Sequence, residues 1–298
     1  MASSAQPPLT TVRTRLVLRA LVFGLVAFGI TWLAGLLVVL STQAMLVNGA
    51  HVVAQPIDLP APLAVTLVLI GGFGPALAAV ALSATQPGGS GVRALFGQLR
   101  RWRAGAGWYV VAFLGPSLLA LLAFLLSRGV AGQLPAQGMP TNWFQVPSPF
   151  RLVFLALGVW GEELGWRGYA LPLLQRRFSA LVASLGVGVL WFSWHQWPLF
   201  TPARPPTIDV VGLLTFFVYI VSASVLFAWL YNSTSGCLPI AWAAHIGFDV
   251  NLVSAQGVPF LLLAILYAVT AILVVVLVGP QTLRRAGKRH PAGGTVSA

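Results

Sequence analysis

Charge is what this chain has least of. Asp, Glu, Lys and Arg make up 7% of its 298 residues, against roughly 25% in a soluble domain. So few charges cannot cover a water-facing surface, and 58% hydrophobic residues point to lipid as the main solvent. Cysteine is nearly absent. Cys237 stands alone, which excludes an internal disulfide and any cysteine-based metal cluster. Beside Gly236 and Pro239 it reads as a small apolar filler. The acids are Asp58, Glu162, Glu163, Asp209 and Asp249, and the histidines are His51, His195, His245 and His290. Lysine occurs once, as Lys288. With so few polar groups, the place of each one carries information.

What is present is long apolar runs. A membrane-crossing helix needs about 20 apolar residues. On that basis spans are expected near 17–41, 62–85, 107–127, 150–172, 180–199, 209–231, 237–256 and 258–278. The expected fold is therefore all-α: a polytopic bundle of about eight transmembrane helices, with both termini cytoplasmic. Gly257 and Pro259 divide the last two spans. The first run is too long for the core of a signal peptide and no small-residue cleavage site follows it, so it reads as an uncleaved anchor. Residues 1–298 form one transmembrane domain, with flexible cytoplasmic tails at 1–15 and 281–298 and no separate soluble domain.

The net charge of +12 raises nucleic acid as a partner, and its distribution excludes it. With the N-terminus inside, Arg13, Arg15, Arg19, Arg93, Arg100, Arg101, Arg103, Arg176, Arg177, Arg284, Arg285, Lys288 and Arg289 fall on the cytoplasmic side. Only Arg128, Arg151 and Arg204 fall outside. This is the positive-inside bias of a membrane protein, not a basic binding face. Between spans, TQPGGSG reads as a turn. VRALFGQLRRWR puts Val92, Leu95, Phe96, Leu99 and Trp102 on one face, as in a helix lying on the inner membrane surface. Residues 128–149 form the longest outer loop, in which Trp143 and Phe144 read as interfacial anchors. Ser90 in GGSG has no histidine near it and reads as linker.

The remaining ionisable groups sit inside predicted spans, where each Asp or Arg costs at least about 2.5–3.5 kcal/mol. They form three local patterns: Glu162-Glu163-x-x-x-Arg167, Trp191-x-x-x-His195 and His245-x-x-x-Asp249. Glu163 and Arg167 share a helix face and are expected to neutralise each other. Glu162 points about 100° away and is left for another partner. If the hairpin between the fourth and fifth spans turns near Phe178 and Ser179, Glu162 and His195 each stand sixteen residues from it. They would then lie at one depth. His245 and Asp249 share a face of the seventh span. Together these give a polar pocket of Glu162, His195, His245 and Asp249, with Trp191 as a wall.

Such a pocket supports two hydrolytic routes. The four groups could hold a divalent metal, zinc being preferred, that activates water. Alternatively, Glu162 and His195 activate water directly while His245 and Asp249 stabilise the oxyanion. No His-Glu-x-x-His zinc helix and no pair of intramembrane aspartates is present.

These three motifs, in this order and each on its own span, resemble the CPBP family of intramembrane proteases (CAAX protease and bacteriocin-processing, also called Abi). The resemblance covers roughly residues 150–255. It implies an intramembrane endopeptidase acting on a membrane-associated protein or peptide. Glu162 would be its general base and His195 its water-activating or metal-binding histidine. His245 and Asp249 would be its transition-state pair, with Glu163 and Arg167 supporting. Trp191 stands where the family most often has Phe, and Asp249 where many members have Asn. The resemblance also implies a multi-pass cell-membrane protein with lipids as partners, and composition points to a bacterial cytoplasmic membrane. Two other classes use the same residues: a non-enzymatic immunity or scaffold protein, and a transporter relaying protons through Glu162 and Asp249.

Overall fold

Each described apolar run becomes a helix in the computed structural model, which describes residues 9–46, 61–130, 149–197, 209–254 and 259–284. In chain order the α-helices are α1 (Leu9–Leu46), α2 (Ala61–Gly72), α3 (Gly74–Ala84), α4 (Ser90–Gly97), α5 (Ala106–Val130) and α6 (Pro149–Gly165). They continue with α7 (Leu171–Gln175), α8 (Ala180–Trp194), α9 (Val210–Ser233), α10 (Leu238–Ser254) and α11 (Phe260–Val278). Among the described residues there is no strand. His51, His290, Arg204, Trp143 and Phe144 lie outside the described residues, as do most of the expected tails.

The expected spans fall on these helices, but not as equal rods. Among the described residues four stretches are each long and apolar enough to cross a bilayer alone: Leu16–Val38, Ala106–Gly129, Val210–Ser233 and Phe260–Val278. The others are shorter or composite. The span expected at 62–85 breaks into α2 and α3 at Phe73. Pro75 is the cause, because it has no N–H for the carbonyl four residues back. That carbonyl belongs to Gly71, and Thr31 of α1 supplies the missing donor at 2.7 Å. Trp194, at the end of α8, donates its indole N–H to the same Thr31 hydroxyl at 2.8 Å. A buried polar group in lipid must find a partner inside the protein. Here the rule ties three helices together.

The span expected at 150–172 is α6, a π-helical turn at Trp166–Ala170, and α7. The hairpin turn lies where the sequence puts it. Ser179 caps α8 by accepting from the Val182 N–H at 3.3 Å. Asp209 is a cap as well, accepting from the Gly212 N–H at 2.7 Å at the start of α9. The amphipathic inner segment is shorter than expected. After α4 a 3-10 turn runs only to Arg100, and Phe96 and Trp102 are exposed while Leu95 is buried. Gln98 is the reason. It turns inward, donating to the Gly168 carbonyl at 2.8 Å and accepting from the Tyr231 hydroxyl at 2.5 Å.

The centre of the bundle is α6, α8, α9 and α10. α3 packs on α6, α5 on α10, and α11 on α9. Close approach is bought with glycine. A Cβ on Gly165 would strike the Pro75 backbone, and one on Gly247 would strike that of Phe113. The outer faces of α1 and α11 carry side chains such as Leu25, 73% exposed, and Leu277, 81% exposed. Such surface is favourable only against lipid. The protein is a polytopic, all-helical membrane protein.

Candidate active site

The three motifs meet, but with partners the sequence does not reveal. Glu163 and Arg167 pair as their spacing predicts, Nη1 to Oε1 at 2.6 Å. The same Oε1 receives His245 Nδ1 at 2.7 Å. All three side chains are almost fully buried. One carboxylate therefore links α6, the π-helical turn and α10. Arg167 is further held by two aromatic faces, with Cζ 4.6 Å from the Trp191 ring and 4.8 Å from that of Phe227. Cation–π contact is strongest where water is excluded. Glu163 Oε2 and Arg167 Nε and Nη2 have no hydrogen-bond partner among the described residues.

Glu162 points to α8 instead. Its Oε2 accepts the indole N–H of Trp191 at 2.7 Å. Oε1 has no partner among the described residues, and the residue keeps 9% of its surface exposed. The expected partner, His195, is not bonded to it. His195 sits at the C-cap of α8, part-buried, with Nδ1 2.9 Å from the Trp191 carbonyl. A carbonyl only accepts, so Nδ1 carries the proton and a neutral His195 keeps its lone pair on Nε2. The ring is set by Trp194, edge-to-face at 4.8 Å. Trp194 is in turn fixed by Thr31, and its backbone carbonyl accepts the Trp32 indole N–H at 3.0 Å.

His245 follows the same logic from the other side. Its Nδ1 donates to Glu163, so Nε2 is the nitrogen left for chemistry. Asp249 lies one turn further along α10, its Oδ1 3.6 Å from that Nε2 and its side chain 27% exposed. That distance is an ion-pair approach rather than a hydrogen bond. The site thus grades from a dry floor at Arg167 to a more open rim at Asp249 and His195.

Trp191 stands at the centre of this arrangement. It is fully buried, lies 4.8 Å from the His245 ring and 5.8 Å from that of His195, and donates to Glu162. Sequence reading makes it a wall. Its N–H is the feature that reading misses, and the signal was available, since an indole beside a buried carboxylate has a donor to satisfy. Gln98 and Thr31 are missed too, as nothing local marks them.

Two imidazole Nε2 atoms and two carboxylates are a chemically reasonable donor set for a divalent ion. Yet among the described residues no three His, Cys, Asp or Glu side chains converge as ligands. The Nδ1 bonds of His195 and His245 leave both Nε2 atoms open, as in a metal-ligating histidine, while Trp191 holds one oxygen of Glu162.

Comparison with known proteins points one way. Residues 143–251 match the family described as Type II CAAX prenyl endopeptidase Rce1-like. A curated relative, the CAAX prenyl protease 2 of Methanococcus maripaludis, is 29% identical over 175 residues, which is 55% of this chain and 64% of the relative. The chain thus matches somewhat under two thirds of that relative's length. The matched family segment contains all seven motif residues. Both findings support the CPBP and CAAX-protease kinship that the motifs carry.

Proposed function

With that kinship as premise, we propose that this chain is an intramembrane endopeptidase. It hydrolyses a peptide bond of a membrane-associated protein or peptide, in a multi-pass cytoplasmic-membrane setting with both termini inside. The observation that carries the reading is the unequal treatment of two adjacent buried glutamates. Glu163 is neutralised by Arg167 and His245, whereas Glu162 keeps one oxygen without a partner at the more open side of the site.

The chemistry follows from those positions. Glu162 Oε1 takes a proton from water as the water oxygen attacks the scissile carbonyl carbon. The C=O π pair moves onto oxygen, and the resulting oxyanion is stabilised by the Nε2–H of a protonated His245. His195 Nε2 accepts a hydrogen bond from the same water and orients it. As the tetrahedral intermediate collapses, the C–N bond breaks and Glu162 returns its proton to the leaving amine. Water is consumed, and an acid and an amine are formed. Trp191 holds Glu162 Oε2, so that only Oε1 faces water. Asp249 Oδ1, 3.6 Å from His245 Nε2, pairs with the imidazolium. Glu163 and Arg167 position His245 rather than touching substrate.

The test uses purified full-length protein and a library of membrane-embedded peptides, with metal content measured in parallel. Cleavage that persists without stoichiometric metal and disappears in Glu162→Gln is the expected result. Near-stoichiometric zinc, lost together with activity in His195→Ala or His245→Ala, would replace this route with a metal-assisted one. A biological phenotype that survives Glu162→Gln, with no cleavage by the wild type, would favour partner binding.

A further inference from the structure

Among the described residues Arg167 is the one arginine paired with a carboxylate, and two of the others share a cavity. Arg19 of α1 and Arg176, the C-cap of α7, line a cavity of about 180 Å³ between α1, α3, α4 and the π-helical turn. Ser83, Gln86, Gln98 and Tyr169 supply the rest of its polar lining. The Arg19 guanidinium is fixed in place. Nε donates to the Tyr169 hydroxyl at 2.8 Å, and Nη2 donates to the Leu82 carbonyl and, at 2.9 Å, to the Thr85 hydroxyl. All three partners are neutral. Arg176 has no hydrogen-bond or ion-pair partner among the described residues.

None of the four described acids serves these cations. Glu163 is held by Arg167 and His245, and Glu162 by Trp191. Asp249 faces His245, and Asp209 caps α9. A half-buried guanidinium held by neutral groups alone still attracts an anion, and here the anion must come from outside the described chain.

A second observation narrows what the anion is attached to. On its other side Arg19 borders an open groove of about 260 Å³, lined by Leu18, Val22, Leu82 and Thr85. Leu18 is exposed, as are Leu21 and Leu25 further along α1. A fixed cationic centre thus adjoins an apolar groove near the N-terminal end of the span Leu16–Val38. That combination fits an amphiphile with an anionic head. Basic pockets between spans on the cytoplasmic side are suited to acidic lipid headgroups, and the planar guanidinium matches a pair of phosphate oxygens.

We infer that this site binds an anionic phospholipid, its phosphate between Arg19 and Arg176 and an acyl chain along Leu18 and Val22. Tyr169 belongs to the same π-helical turn as Arg167, so the lipid lies one hydrogen bond from the segment that carries the motif cation. The inference does not depend on the catalytic reading above.

The experiment is native mass spectrometry of the full chain in neutral detergent, titrated with phosphatidylglycerol or with phosphatidylcholine of the same acyl chains. Phosphatidylglycerol is expected to bind at least about tenfold more tightly. Arg176→Gln should weaken it about fivefold. Val22→Trp, which fills the groove, should weaken both lipids, and Arg103→Gln, on an exposed arginine outside the cavity, should change nothing. Arg19→Gln should have the largest effect, but it also removes three internal contacts, so Arg176→Gln and Val22→Trp carry the test. Equal binding of the two lipids, or phosphatidylglycerol binding indifferent to both variants, would overturn the inference. Inorganic phosphate that binds in an Arg176-dependent way while phosphatidylglycerol does not would assign the site to a soluble phosphate and overturn the lipid.

Discussion

Glu162 and Glu163 share one turn of α6, and about 100° of rotation is all that separates them. Glu163 faces α10 and the π-helical turn, where His245 and Arg167 both reach one of its oxygens. Glu162 faces α8, where it meets one indole N–H and keeps an oxygen free. The comparison teaches that the chemistry of a buried carboxylate is set less by burial than by how many donors surround it. Two donors, one of them Arg167, make Glu163 a fixture. One neutral donor leaves Glu162 able to exchange a proton.

The comparison breaks most readily at Glu162 itself. Glu162→Gln is nearly isosteric and should lower the rate of peptide cleavage about 10³-fold, with the unfolding temperature unchanged. Glu163→Gln should do the reverse in kind, costing about 3–5 kcal/mol of stability because Arg167 is left buried without its carboxylate. Unfolding measured in detergent for both variants checks this. If Glu162→Gln unfolds the protein and Glu163→Gln does not, the roles are exchanged. A sharper probe is Trp191→Phe, which keeps a ring against Arg167 and His245 but deletes the N–H to Glu162. Cleavage should fall about tenfold, the worth of a hydrogen bond to a charged group. Gln98→Ala uncaps the Gly168 carbonyl inside the π-helical turn and should cost about 1 kcal/mol, read as a lower unfolding temperature. The smallest effect is expected at the rim. Asp249→Asn removes a part-exposed charge 3.6 Å from His245, and cleavage should change by less than about threefold.

Much of the bundle was legible in the sequence because lipid leaves few options for an apolar run. The pairing of Glu163 with Arg167 was legible for a local reason, the helical spacing of four. The partners of Glu162 and His245 were not, because they depend on which helices touch. Depth-matching brought His195 to Glu162 by assuming uniform helix rise from the turn at Ser179. The π-helical turn at Trp166–Ala170 packs one residue more into a turn. That draws Glu162 only about one residue toward the hairpin; the rest of the offset lies in the reach of the Trp191 indole, one turn before His195, to the Glu162 carboxylate. The break at Phe73 could have been read from Pro75. The hydroxyl that mends it, forty-four residues upstream at Thr31, could not.

That mended break has a genetic consequence. Pro75 creates the need that Thr31 meets, so the two positions are not free to vary independently. Thr31→Val in the native background strands the Gly71 carbonyl and releases Trp194 beside His195. In a Pro75→Ala background the helix regains its own donor, and the same change should be milder. A lineage that lost the proline could then lose the threonine, but the reverse order would pass through a damaged intermediate.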